Sequence, residues 1–91
     1  SAAGLPLVWL ASGDTLPARP PSGPLRHLPW RKLVGADGSP RPAGEIASAL
    51  QSAGVPPLAR VRVLADDPGD AAAGLYLLRL MGYRDSEVAA D

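Results

Sequence analysis

Hydrophobic residues fall along this chain in short blocks of two different periods. Leu5-Pro6-Leu7-Val8-Trp9-Leu10-Ala11 is a continuous apolar run closed by Ser12-Gly13-Asp14. Its length predicts a strand, its lack of alternation predicts cover on both faces, and Pro6 belongs at its first residue. Arg60 to Ala65 is a second strand, in which Val61 and Val63 alternate with Arg60 and Arg62. Between them, Pro42 to Gly54 carries Ile46, Ala49, Leu50 and Ala53 at helical spacing, so an amphipathic helix is expected there. Pro42 suits its first turn, Glu45 the positive end of its dipole and Gly54 its carboxyl-terminal cap, while Pro56 and Pro57 stop it.

The stretch from Val61 to Tyr83 dominates the pattern. A β-branched strand enters the turn Asp66-Asp67-Pro68-Gly69-Asp70, and an apolar helix over about Ala71 to Met81 follows, capped by Gly82. That helix is polar only at Arg79, so it is expected to be mostly covered, and Gly74 within it points to close packing on a sheet. Leu25 to Trp30 reads as a short edge strand stopped by Pro29, Asp37-Gly38 as a turn and Glu87-Val88-Ala89 as a last strand. Between Thr15 and Pro24, Pro17, Pro20, Pro21 and Pro24 impose an extended surface connection. Strands alternating with helices predict an α/β fold with a small, largely parallel sheet, right-handed crossovers and helices on both faces.

Composition narrows the function. Ninety-one residues make one domain. With no Phe, the core is aliphatic, and Trp9 and Trp30 are its expected anchors. The absence of Cys removes disulfides, thiolate metal sites and any thiol nucleophile. Nine basic and nine acidic side chains cancel, and Arg26, Arg31 and Lys32 are the only basic cluster, which argues against nucleic acid and anionic membranes as partners. No run is long enough to span a membrane, and the start at Ser1-Ala2-Ala3-Gly4 is unlike a signal peptide. These features predict a soluble cytoplasmic protein. Arginine in large excess over the single lysine, with heavy use of Ala and Pro, matches a GC-rich bacterial genome.

Candidate chemistry is sparse. His27, the only histidine, has no second His or Cys for a metal site and reads as a structural residue. Asp66, Asp67 and Asp70 surround one helix start, and three roles are open to them: capping the free amides, holding Mg²⁺, or forming a catalytic carboxylate pair. Each disfavours an anionic substrate, because the positive end of the helix already faces the protein's own charge.

Arg26-His27-Leu28-Pro29-Trp30, Asp37-Gly38, Glu45, Leu50, Gly54-Val55, the strand and turn at 61–70, and Leu78-Arg79-Leu80-Met81-Gly82-Tyr83-Arg84-Asp85 follow one another as in a rhodanese-like (sulfurtransferase) domain. The resemblance covers about Leu7 to Val88, so the chain is expected to be a single domain over 1–91, either a compact variant or a piece of a larger protein. It implies a doubly covered parallel sheet and, in active members, a persulfide-carrying cysteine at the start of a six-residue loop whose amides stabilise an anion. With Gly69 set on the loop's usual glycine, the vestigial loop is Asp66, Asp67, Pro68, Gly69, Asp70 and Ala71. Asp66 replaces the cysteine, and Ala71 stands where many members carry a basic residue. Ala11 and Gly13 replace the first strand's usual aspartate and arginine. Pro20-Pro21-Ser22-Gly23-Pro24-Leu25 replaces a glycine-histidine-isoleucine-proline-glycine-alanine run. Aspartate for cysteine is similar to the non-catalytic halves of tandem rhodaneses.

The resemblance implies an inactive domain without catalytic residues, metal or cofactor, acting as a structural or interaction module with another protein domain or subunit. A second reading is the supporting half of a sulfurtransferase whose cysteine lies elsewhere. A third is a small metal-dependent enzyme using Asp66, Asp67 and Asp70.

Overall fold

Side-chain alternation along the strands decides which face of the sheet is core. In a computed structural model, which describes residues 4–21 and 23–89, the strands are β1 (Leu7–Ala11), β2 (Leu25–His27), β3 (Arg60–Leu64) and β4 (Ser86–Val88). The helices are α1 (Ala43–Ser52) and α2 (Pro68–Leu80), and a short 3-10 turn covers Trp30–Leu33. The Ser1-Ala2-Ala3 start and Ser22 of the proline-rich stretch lie outside the described residues. All the strands pair in parallel, in the order β2-β1-β3-β4. Val8 sits beside Val61 and Leu10 beside Val63, so these four side chains make one apolar face. Ile46 and Leu50 of α1 and Leu77 and Leu78 of α2 bury against it in a single core.

The α/β architecture is the expected one, but the expected helices on both faces are found on one. The strand order explains why. The steps from β2 to β3 and from β3 to β4 run in the same direction across the sheet, and right-handed crossovers running one way share a face. The step from β1 to β2 runs the other way and is made by the proline-rich connection. Pro17, Ala18 and Pro21 line a groove with Trp9, whose side chain is on the face opposite Val8 and Leu10. Trp9 is therefore no core anchor. Trp30 does pack on the core, from its edge.

One layer of helices leaves the outer side of α2 open. Tyr76 is 61% and Leu80 53% exposed, against the expectation that this apolar helix is mostly covered. An all-round apolar composition showed no polar face, and only the number of layers decides how many sides are buried. The helix also starts earlier than expected, because Pro68 occupies its first turn, where a missing N–H costs nothing. Both helices end in a Schellman arrangement. Val55 N donates to Leu50 O at 2.9 Å and Tyr83 N to Leu78 O at 3.0 Å, with Gly54 and Gly82 at φ of 92° and 90°. The Asp37-Gly38 turn forms as predicted, with Gly38 at φ 84°. The Ser39 hydroxyl and then its amide donate to the Asp37 carboxylate, which holds that carboxyl below its usual range.

Gly74 rests directly on the sheet, as its place in an apolar helix predicted. A Cβ there would stand 2.6 Å from Ser12 Cβ and Oγ, and 3.2 Å from Val63 Cγ1. Alanine at this position gains about 1 kcal/mol of helix propensity but overpacks a contact that costs about 1–3 kcal/mol to relieve. Gly74→Ala is expected to lower the urea midpoint with an unchanged slope, despite the better helix former. Burial raises the Tyr83 phenol above its ordinary ionisation range near 10. A raised folded-state value means stability present below the unfolded phenol's pKa and lost as pH climbs through the folded one. Denaturant titrations from pH 8 to pH 11 are expected to show that decline, and Tyr83→Phe is expected to flatten it.

Candidate functional site

In parallel sheets ligands gather outside the carboxyl ends of the strands, at the point where connections diverge to opposite sides. Here that point lies between β1 and β3. Three loops leave the sheet around it: Ser12-Gly13-Asp14 after β1, Leu28 to Arg31 after β2, and Ala65 to Asp67 after β3. The parallel register aligns the strand ends, with Ala11 beside both His27 and Leu64.

Each predicted loop residue has a definite position. Asp67 is the N-cap of α2, and its Oδ1 accepts the Gly69 amide at 2.8 Å. Its backbone carbonyl accepts the amides of Asp70 at 3.0 Å and Ala71 at 3.2 Å. Pro68 has no amide. The Gly69 and Asp70 amides, which the first turn leaves without an i−4 partner, are thus both directed at Asp67, so the loop is a capped helix start. Asp66 turns the other way. Its Oδ1 accepts the Ala18 amide at 3.2 Å, which ties the proline-rich connection to the end of β3. Asp70 turns toward the β2 side, where its Oδ1 accepts the Trp30 indole N–H at 2.8 Å. Only Asp67 caps the helix with its side chain, so the capping role expected for all three aspartates narrows to one.

Around Asp70 the tertiary fold assembles a polar cluster that the pattern of residues did not single out. Arg31 Nη1 stands 3.4 Å from Asp70 Oδ1 and 3.1 Å from Asp14 Oδ2, and its guanidinium lies 4.7 Å from the centre of the Trp30 ring. The Asp70 side chain is 17% exposed and that of Asp14 is 64% exposed, so the pair with Asp70 is the less screened. Beneath them Ser12, fully buried, donates its hydroxyl to the Asp70 carbonyl at 2.8 Å. His27 Nε2 lies 2.9 Å from the Gly13 carbonyl, the structural role predicted for it. A usable signal existed in the sequence: Ser12-Gly13-Asp14 and Pro29-Trp30-Arg31 each follow a strand, and parallel strands deliver such segments to one edge.

Chemically the cluster answers most of its own charge. One guanidinium, Arg31, stands between the Asp14 and Asp70 carboxylates, which leaves a net negative charge, and Trp30 shields one side of the guanidinium. Among the described residues no group of three or more His, Cys, Asp or Glu side chains is placed to hold a metal ion. The open space lies beside the cluster. A groove of about 780 Å³ runs from Trp9 and Leu64 past Ala65 and Asp66 to Pro68 and Ala71, with Pro17, Arg19 and Pro21 as its outer wall. Its size is that of a ligand site, and its lining is mainly apolar.

No family model matches the chain, and no curated protein matches it.

Removing the Asp70 carboxylate leaves the Trp30 indole N–H and Arg31 without their partner. Asp70→Ala is expected to cost about 1–3 kcal/mol in chemical denaturation. Asp70→Asn keeps an acceptor for Trp30 and is expected to lose less than half of that. A shift in Trp30 emission for alanine but not for asparagine checks the same contact, with Trp9→Phe as the background.

Proposed function

We propose that this chain is a catalytically inactive rhodanese-like domain of a bacterial cytoplasmic protein, serving as a structural or protein-interaction module. One observation carries the inactive part of this reading: the Gly69 amide donates to the Asp67 carboxylate and the Asp70 amide to the Asp67 carbonyl. A sulfurtransferase needs those donors free for a persulfide or thiosulfate, and a thiol at the loop's first position, where this chain has Asp66. The order of elements, the leucine-proline-tryptophan segment after β2 and the glycine-tyrosine end of α2 support the rhodanese-like part. The groove beside Trp9 and Leu64 supports the interaction part. It offers a partner domain an apolar floor with Arg19 and Asp66 at its rim.

The purified chain is expected to form no thiocyanate from thiosulfate and cyanide above the protein-free rate, and turnover that scales with protein overturns the proposal. For the interaction part, Leu64→Arg is expected to release a stoichiometric partner while leaving the melting temperature within a few degrees of the parent. A partner that stays bound removes the groove from this reading.

A further inference from the structure

The two outer strands of the sheet carry the same arrangement, and it concerns association rather than chemistry. In a parallel ladder alternate residues turn their backbone groups to the neighbour and away from it. Val61 N donates to Asp85 O at 3.0 Å and Ala89 N to Val63 O at 2.8 Å, so Glu87 faces β3 and Ser86 and Val88 turn their backbone groups outward. The outward carbonyl of Ser86 accepts Arg79 Nη2 at 3.1 Å, from the last turn of α2. On the opposite edge, Trp9 N donates to Pro24 O at 2.9 Å and Leu28 N to Ala11 O at 3.0 Å, so Leu25 and His27 face away from β1. There Arg26 Nη1 donates to the outward Leu25 carbonyl at 3.2 Å, while its Nε is held by Gly54 O at 3.2 Å.

We infer that Arg79 guards the β4 edge, and that the occupant it excludes is the β4 strand of a second copy of this chain. An exposed edge is a template for another strand, and a charged side chain laid across it is a common safeguard. β4 suits its own copy because antiparallel pairing of one edge with itself is isologous and closes as a dimer. Val88, 46% exposed, supplies an apolar contact at such a seam. The charge that opposes pairing is already reduced, since Arg62 lies 3.2 Å from Asp85 and 4.0 Å from Glu87. Among the described residues, what remains in the way is the Arg79 guanidinium on the Ser86 carbonyl. The inference does not depend on the rhodanese-like reading, because it uses only the ladder and one side chain.

Sedimentation velocity over a concentration series tests it. The parent chain is expected to stay monomeric, and Arg79→Ala is expected to move toward twice that mass as concentration rises. Arg79→Lys, which keeps a donor, is expected to remain monomeric. Adding Val88→Pro to Arg79→Ala is expected to restore the monomer, because that N–H faces away from β3 and its loss spares the native ladder. If Arg79→Ala fails to fold by circular dichroism, Arg79→Met, a good helix former without a donor, takes its place in the same series. A folded Arg79→Ala (or its substitute) that stays monomeric, an Arg79→Lys that dimerises, a parent chain that already dimerises, association that survives Val88→Pro, or species larger than a dimer would each overturn the inference.

Discussion

Helix α2 can lie on the sheet at its observed depth only because residue 74 has no side chain. At that point the helix backbone reaches Ser12 and Val63 together, which is to say the ends of β1 and β3. The approach brings the Asp70 carbonyl within reach of the buried Ser12 hydroxyl. An unpaired hydroxyl there would cost about 1–3 kcal/mol, so depth and rotation of the helix are set by packing and hydrogen bonding at once. The first turn of α2, and with it the whole loop after β3, takes its position from this contact.

Placement of that turn determines the electrostatics of the carboxyl edge. With α2 set so low, Asp70 meets Trp30 and Arg31 from the β2 side, and Asp66 meets the proline-rich connection on the other face. Asp67 alone remains over the helix end and takes its amides. Three carboxylates within five residues are thereby sent in three directions: Asp66 and Asp70 fasten neighbouring segments, and Asp67 caps its own helix. The helix dipole, which attracts an external anion in other parallel-sheet proteins, here stabilises the Asp67 carboxylate, which takes the Gly69 amide.

Much of the fold was legible because its signals are local. The Val-Arg alternation of 60–63, the glycines at 54 and 82, the Asp37-Gly38 turn and the sterically small Gly74 each state a requirement of one or two neighbouring residues. What misled was apolar composition taken as burial. Trp9 and the outer side of α2 are apolar and partly open, because burial depends on how many layers cover an element, and that number is a property of strand order. The site was half legible for the same reason. The loop's residues were found, since they adjoin one another, but the contacts of Asp70 with Trp30 and Arg31 span about forty positions, and nothing local announces them.

By itself the sequence determined the kinds of element, their order and the absence of any thiol chemistry, since these follow from backbone preference and residue type. Tertiary structure alone decided that both helices share one face, that the proline-rich connection crosses the other, and that each aspartate of the loop has its own partner. Those outcomes rest on the direction in which each crossover steps across the sheet, a choice made by the packing of the whole chain.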